Sequence, residues 1–514
     1  MKRYLLNFSI MVLLVFLLVP IIWPLLSSGY FRSDDGDSMV VRLIAFHETV
    51  KTHQFPIRFL EHLNHGFGYP VLNFLYPLPF YLGEVVHLLG FNFIDSIKIL
   101  FLLSFLLGSF GMYFWLKRSY GTLPGLIAAL TYAYFPYRTY DVFGRGSLGE
   151  STAFIFLPFI FLFADKLAQR PNFRHLGLVS LLYAALLTAH NSLAFLFTPV
   201  ILLYLFLQLK TAHNFKTSFI TSLTVVVLSL GLSAFFWLPA VFDLRYTRAI
   251  VTEVSIYQRY FLDADHWKQI LGVTPFLILL TLVIHIIRVR RVSQSVLLWV
   301  AVFLVGLVFS TSYSDLLWKL LPLPRLVQFP WRFLSLTTFS GTVLLGYVAS
   351  KIRNKLVIVL TLAAILVVSL QSFSVDKTYY PEVYYRNNDS TSTVQNEYLP
   401  RWVKNEFLSA RPQLLEVTSG RGTVIGSNAV NLETPGNIRI NKVYFPGWQV
   451  KVDGLIAKID YEKEGFLDIT VPSGKHSVRA TFFETPLRAA ADGISLVGFL
   501  VVFCLLLWGR KLSF

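Results

Sequence analysis

Long apolar runs separated by short polar stretches organise the chain. The first run, Leu5–Leu26, follows Lys2-Arg3 and ends Trp23-Pro24-Leu25-Leu26, with no small-residue cleavage site. It is longer than the apolar segment of a secretory leader, so it reads as an uncleaved membrane span with its N-terminus inside. Further runs of roughly 20 apolar residues follow, the length that crosses a bilayer core as a helix. Tyr69–Gly90 differs: Pro70, Pro77 and Pro79 would break a membrane helix. It is read as a juxtamembrane element dipping into the outer leaflet.

From about Ser372 to Pro486 the pattern changes. Asn387–Thr393 is polar and irregular. Period-two alternation then appears at Ile438–Ile440, Trp448–Val452, Leu467–Val471 and His476–Ala480. Turn residues punctuate it at Pro446-Gly447, Asp453-Gly454 and Pro472-Ser473-Gly474. This predicts a small antiparallel β-domain. The expected organisation is a multi-span membrane domain over 1–372, a β-rich domain over 373–487, and a final span with its tail over 488–514.

Composition fixes the class. The 514 residues are 55% hydrophobic and only 14% charged, a balance that would overexpose apolar surface in a soluble domain. The fold class is therefore a polytopic α-helical membrane protein. The net charge of +16 comes without a basic low-complexity tail, so it reads as positive-inside bias and phosphate binding rather than nucleic-acid affinity. With Cys504 alone, no intrachain disulfide can form.

Basic clusters fall at Lys2-Arg3, Lys117-Arg118, Lys166/Arg170/Arg174, Lys210/Lys216, Arg288/Arg290/Arg291, Lys351/Arg353/Lys355 and Arg510/Lys511. Placing them all in the cytoplasm predicts about twelve spans in the plasma membrane, with both termini inside. The long polar loops and the β-domain then share the outer face.

The candidate chemistry lies on that face. Ser33-Asp34-Asp35-Gly36-Asp37 puts three carboxylates at the membrane surface, which marks a wet region. Such a carboxylate can act as general base, and Asp35 and Asp37 are spaced to share a divalent cation. Equally, Ser33 or Asp34 can cap an amphipathic helix starting near Ser38. Arg42, His47, His53, His62 and His65 follow, without zinc-enzyme spacing.

Phe135–Glu150 crowds Arg138, Asp141, Arg145 and Glu150 among glycines. Arginine forks bind phosphate, yet Arg138–Asp141 and Arg145–Glu150 could also pair internally. His190-Asn191 ends an apolar run, where polar groups tend to be functional. Arg332 closes Leu323–Arg332, a stretch of aromatics and prolines that suits a lipid phosphate or an aromatic belt. Asp263, Asp265 and His266 form a weaker cluster. Walker, dinucleotide and nucleophile-elbow motifs are absent from the sequence.

An Asp-bearing loop after the first span, then juxtamembrane elements, many spans and an outer C-terminal domain resemble the layout of the GT-C superfamily of membrane glycosyltransferases. More narrowly, Asp35-Gly36 with Arg42, Gly66–Pro70 with Asn73, and Pro136-Tyr137-Arg138 with Asp141, Arg145-Gly146 and Glu150 resemble bacterial "6-pyruvoyl-tetrahydropterin synthase-related" membrane proteins. His190-Asn191 and Phe329–Arg332 belong to the same set. Tyr444–Trp448 and Pro472-x-Gly474-x-His476 resemble the C-terminal domain of YfhO-type proteins. In relatives histidines often flank the Asp-Gly pair; here Asp34 and Met39 stand there.

The family label does not describe chemistry legible in this chain, since pterin synthesis would need a soluble zinc site of several histidines. The resemblance implies transfer of a sugar from a polyprenyl-phosphate carrier to an envelope glycan, lipid or protein outside the membrane. It implies Asp35 as base, with Asp34 or Asp37 as substitutes. Arg138, Arg145 and Arg332 would hold the phosphate, while Asp141, Glu150 and His190 would orient donor or acceptor. A lipid-linked-glycan transporter or an accessory envelope protein is the competing reading. Transporters place charge at the bilayer midplane and often carry inverted repeats, whereas here the charge gathers at one face and no repeat is evident.

Overall fold

The computed structural model describes the chain apart from Met1, His53, residues 251–256, 290–292, 405–412 and 510–514, and parts of 264–269, 353–374 and 389–395. Asp265, His266, Arg290, Arg291, Arg353, Lys355, Arg510 and Lys511 lie outside the described residues.

The helices are α1 Lys2–Ile22, α2 Gly36–Val50, α3 Leu78–Leu88, α4 Phe93–Tyr120, α5 Thr122–Tyr134, α6 Pro136–Phe143, α7 Leu148–Gln169, α8 Phe173–Ala189, α9 Asn191–Ala212, α10 Phe215–Leu232, α11 Ala234–Asp243, α12 Thr274–Val289, α13 Gln294–Phe309, α14 Leu334–Lys351 and α15 Pro486–Trp508, with short helical turns between them. Among the described residues seven helices are long and apolar enough to cross a membrane, or eight if α13 and the bent segment Ser312–Leu320 form one span. The apolar α8 is shorter than these, and much of 353–374 lies outside the described residues.

The prolines of Tyr69–Gly90 have visible consequences. Pro70 precedes a tight turn at Val71–Asn73, and Pro77 and Pro79 open α3, where a missing amide costs nothing. At 11 residues α3 is about 16 Å long, half a bilayer core.

α14 is the central helix. Ser335, Thr337, Thr338, Ser340 and Thr342 are all buried in it. A Cβ on its Gly341 would meet Phe303 of α13 at 2.8 Å, and one on Gly346 would meet Ala128 of α5 at 3.3 Å. Small residues let membrane helices approach where lipid offers no hydrophobic drive.

Among the described residues ten strands follow in chain order. β1 (Tyr30–Arg32) pairs antiparallel with β2 (Asp376–Tyr380), which ties the first loop to the start of the 373–487 region. β3 Leu415–Ser419, β6 Gly436–Val443 and β9 Phe466–Val471 make one sheet in the order β3-β6-β9. β4 Gly422–Ile425, β5 Ala429–Leu432, β7 Trp448–Val452, β8 Leu455–Ala457 and β10 Gly474–Phe482 make the other, ordered β4-β5-β10-β7-β8.

Ion pairs made by two buried arginines fasten this domain and α15 to the helices. Arg58 meets Glu484 at 2.8 Å and Asp492 at 2.7 Å, and donates to the Phe235 carbonyl. Arg488 meets Asp243 at 2.8 Å, and Asn73 donates to the same carboxylate at 3.1 Å. Charges removed from water must be paired this closely to be tolerated.

Candidate functional site

The acidic loop and the glycine-rich loop dock backbone to backbone. Asp34 N–H donates to the Gly144 carbonyl at 2.9 Å, and Asp35 N–H to the Arg145 carbonyl at 2.7 Å. Gly146 makes this approach possible. Its φ is +66°, and a Cβ there would lie 2.5 Å from Ser33 Oγ and 2.6 Å from Gly36 N.

Asp35 occupies the N-cap of α2, yet its side chain makes no capping hydrogen bond. Neither Ser33 nor Asp34 is the cap. Among the described residues the Asp35 carboxylate has no hydrogen bond or ion pair, and it is half-buried. Asp37 accepts a hydrogen bond from Tyr385 Oη at 3.1 Å. Burial raises the Asp37 carboxyl above the usual range, against the Tyr385 bond and Arg32. Burial and then Asp35 raise Asp34, against Arg145.

Behind this loop lies a closed cluster. Arg145 Nη1 is 3.0 Å from Asp141 and 2.9 Å from Glu150. Glu150 Oε1 is 3.0 Å from Arg332 Nε, and Glu150 Oε2 accepts from Tyr137 Oη at 2.7 Å. Ser151 donates to Asp141 at 3.2 Å. Arg332 Nη1 donates to Ser192 Oγ, the Val327 carbonyl and Gln328 Oε1. Burial opposes the Arg145 charge, but Glu150 and Asp141 outweigh it and hold the guanidinium protonated. These bonds engage Nη1 of Arg145 and Nε and Nη1 of Arg332. Among the described residues neither Nη2 group has a hydrogen bond.

His190 Nδ1 accepts the Leu193 amide, and its Nε2 is 3.9 Å from Glu150 Oε1. An accepting Nδ1 is unprotonated, so the ring is neutral and its proton sits on Nε2. Asn191 donates to the Phe74 carbonyl at 2.9 Å. Asn191 also sits on the wall of an apolar groove of about 830 Å³ that includes Leu187, Leu230, Val305, Phe333 and Leu336. The groove thus reaches the chain neighbours of both His190 and Arg332.

Arg138 departs from the expected geometry. The Arg138–Asp141 pair is not formed; Asp141 pairs with Arg145 instead. The Arg138 guanidinium lies over the rings of Phe105, Tyr132 and Phe154 at 5.1, 4.5 and 4.9 Å. It donates to the Tyr132 and Ser104 carbonyls, so the helix bundle encloses it.

Several participants were not singled out from sequence. Tyr76 lies on Gly149, whose added Cβ would meet its ring at 2.4 Å. Burial pushes the Tyr76 hydroxyl up to about 12, and Arg42, Asp35, Arg332 and Glu150 all act on it electrostatically. Tyr76 therefore joins the first loop to the cluster. Tyr398 stacks on Phe74 at 5.1 Å. No local pattern marks either residue. Trp331, which belongs to the Phe329–Arg332 stretch read from the sequence, lies beneath Arg145 at 5.3 Å. His47 bonds Glu84 at 2.9 Å, away from the cluster. Among the described residues no group of three or more His, Cys, Asp or Glu is placed to hold a metal ion.

Residues 72–376, more than half of the chain, match the model of a family described as 6-pyruvoyl-tetrahydropterin synthase related domain; membrane protein. The chain belongs to this family. An uncharacterized protein of Lactococcus lactis subsp. cremoris (strain MG1363) is 24% identical over 254 residues, 48% of this chain and 41% of the relative. The match thus spans less than half of that curated relative. Two cryo-EM structures of the arabinofuranosyltransferase AftD from Mycobacteria, one of them a mutant, are similar at a TM-score of 0.48 over 72% of this chain. Their identities are 16% and 15%, and the likeness covers 27% and 26% of those chains. Membership of the family makes this chain a membrane protein.

Proposed function

We propose that the protein is a membrane glycosyltransferase that moves a sugar from a polyprenyl-phosphate carrier to an envelope acceptor on the outer face of the plasma membrane. The acceptor is a glycan, lipid or protein. The supporting observation is the docking of the acidic loop onto the arginine loop: it sets the Asp35 carboxylate, unbonded among the described residues, beside the Arg145–Glu150–Arg332 cluster, which adjoins an apolar groove.

In this reading the prenyl chain lies in the groove and the phosphate meets the Nη2 edges of Arg145 and Arg332, with Arg42 alongside. Asp35 takes the proton of an acceptor hydroxyl. The hydroxyl oxygen bonds to the anomeric carbon, and the bond from that carbon to the phosphate oxygen breaks. Polyprenyl phosphate leaves with the electron pair, its charge met by the arginines. A positioned base contributes roughly 10²–10⁴-fold to such a step. Asp34 and Asp37 flank Asp35 and serve as its substitutes. Asp35 with Asp37 is the pair for a divalent cation if one takes part. Asp141 and Glu150 hold Arg145 in place, and His190 and Asn191 orient the donor. Arg138 has no phosphate role here, because its guanidinium is committed inside the bundle.

The internal pairing of Arg145 and Arg332 with Glu150 favours the second reading, an accessory or transport protein whose cluster only holds the fold. Purified protein incubated with radiolabelled polyprenyl-phosphate sugars and envelope acceptors separates the two. Time-dependent label in an acceptor supports the transferase; no transfer from any donor supports the accessory protein.

A further inference from the structure

A second constellation lies outside this site. Residues 246–249 run antiparallel to 397–401: Arg401 N–H donates to the Tyr246 carbonyl, Arg248 N–H to the Leu399 carbonyl and Ala249 N–H to the Glu397 carbonyl. This pairing sets the Tyr246 ring 6.1 Å from Trp402, stacked at 27°. The β-domain supplies two more rings. Tyr444 and Tyr461 stack at 3.6 Å and 4°, and Trp402 stands edge-on to both at 5.5 and 4.9 Å.

One glycine holds the three rings of this corner together. Gly465 N–H donates to the Tyr461 carbonyl, and Gly465 carbonyl accepts from Tyr444 N–H. A Cβ on Gly465 would lie 2.6 Å from Val403 N and 2.8 Å from the Trp402 carbonyl carbon, at φ +82°.

All four rings are half-buried rather than enclosed. The exposed Arg245 and Arg401 lie over Tyr246 and Trp402 at 4.8 and 5.0 Å, and the exposed Lys404 follows on the same segment. An apolar core corner would bury these residues fully and need no cations beside them. Half-open rings bordered by hydrogen-bond donors suit a ligand that is apolar on one face and hydroxylated at its edges, which is the chemistry of a saccharide.

These rings are continuous with the candidate site. Phe445 lies 6.5 Å from Tyr246 and 6.0 Å from Phe74, and Phe74 stacks on Tyr398. Tyr398 is within electrostatic reach of Arg332 and Tyr76. Tyr398 and Trp402 are four residues apart, so their backbones are separated by at most about 14 Å.

We infer that Tyr246, Trp402, Tyr444 and Tyr461 form a saccharide-binding platform that carries the acceptor chain beyond the sugar that reacts. Its role as an acceptor subsite rests on the transferase reading; saccharide binding itself does not. The platform names the acceptor class: a glycan, in preference to a lipid or a protein.

The test is binding of the detergent-solubilised full chain to a microarray of bacterial and plant oligosaccharides, with tryptophan fluorescence titration of the oligosaccharides that bind. Wild type binds a subset of glycans, and Trp402→Ala and Tyr461→Ala each weaken that binding roughly tenfold or more. Tyr461→Phe keeps most of it, and the exposed-rim variant Arg401→Ala, which keeps the rings, weakens it less. The proposal is overturned if wild type binds no glycan, or if Trp402→Ala and Tyr461→Ala lower the unfolding temperature while binding stays unchanged, the signature of a packing cluster alone. Glycan binding without any transfer would contradict the transferase reading and leave the platform standing. Transfer that proceeds while no variant alters glycan binding would do the reverse.

Discussion

Arg332 Nε lies 3.0 Å from Glu150 Oε1 and joins residues 182 positions apart in the sequence. Glu150 is fully buried and also holds Arg145, so one carboxylate balances two guanidinium groups. Glu150→Gln would leave both cations undercompensated. The expected cost is about 3–5 kcal/mol, read as a lower unfolding temperature in detergent. An unchanged unfolding temperature would contradict the charge-balancing role given to Glu150.

Gly146→Ala tests the docking of the two loops. The left-handed backbone and the 2.5 Å approach to Ser33 Oγ leave no room for a methyl group. We expect a loss of about 1–3 kcal/mol and faster amide exchange at Asp34 and Asp35, whose N–H groups bond across the junction. Unchanged exchange there would show that the loops are not held by this contact.

The β-domain carries a pH-dependent pair. His476 Nδ1 lies 2.6 Å from Asp453, which also accepts the Ser477 amide at 2.8 Å. The hydrogen bond from His476 and the amide of Ser477 lower the Asp453 carboxyl from 3.8, and the Asp453 bond raises His476 from 6.5. The raised histidine stabilises the fold fully below 6.5, and this contribution is lost as pH rises through its folded value. The lowered aspartate stabilises fully above 3.8, and this is lost as pH falls through its folded value. Hydrogen-exchange protection of β7 and β10 in the full chain should therefore be greatest between those limits. His476→Ala should flatten the profile; a profile of unchanged shape would contradict the pairing.

The groove predicts a split in kinetic constants. Val305 is exposed on its wall, and Val305→Trp would fill space assigned to the prenyl chain. The expected result is a rise of roughly tenfold in KM for the lipid donor with kcat nearly unchanged, the pattern of lost uniform binding. Unaltered KM would place the chain elsewhere.

What the sequence made legible was local. Asp453-Gly454 marks a hairpin because both residues take positive φ, 52° and 85°, a need that few residue types meet. The alternation of Trp448–Val452 and Leu467–Val471 appears as β7 and β9. Arg145–Glu150 pairing follows from a five-residue spacing across one tight loop. Arg138 and Asp141 have an equally favourable spacing, but the side chain is drawn to Phe105 and Phe154, which no local pattern predicts. Tyr76, Tyr385 and Tyr398 enter the site through contacts between distant segments. Counting spans from basic residues treats every apolar run alike, whereas α8 has 17 residues and α11 has 10, fewer than the roughly 20 that cross a bilayer core as a helix.

The most direct measurement compares the initial rate of sugar transfer from a radiolabelled polyprenyl-phosphate donor by wild type and by Asp35→Asn, with folding of both verified by unfolding temperature. With Asp35 as the base, the variant loses about 10²–10⁴-fold in kcat while KM for the donor changes little. Transfer by Asp35→Asn at the wild-type rate would contradict the assignment.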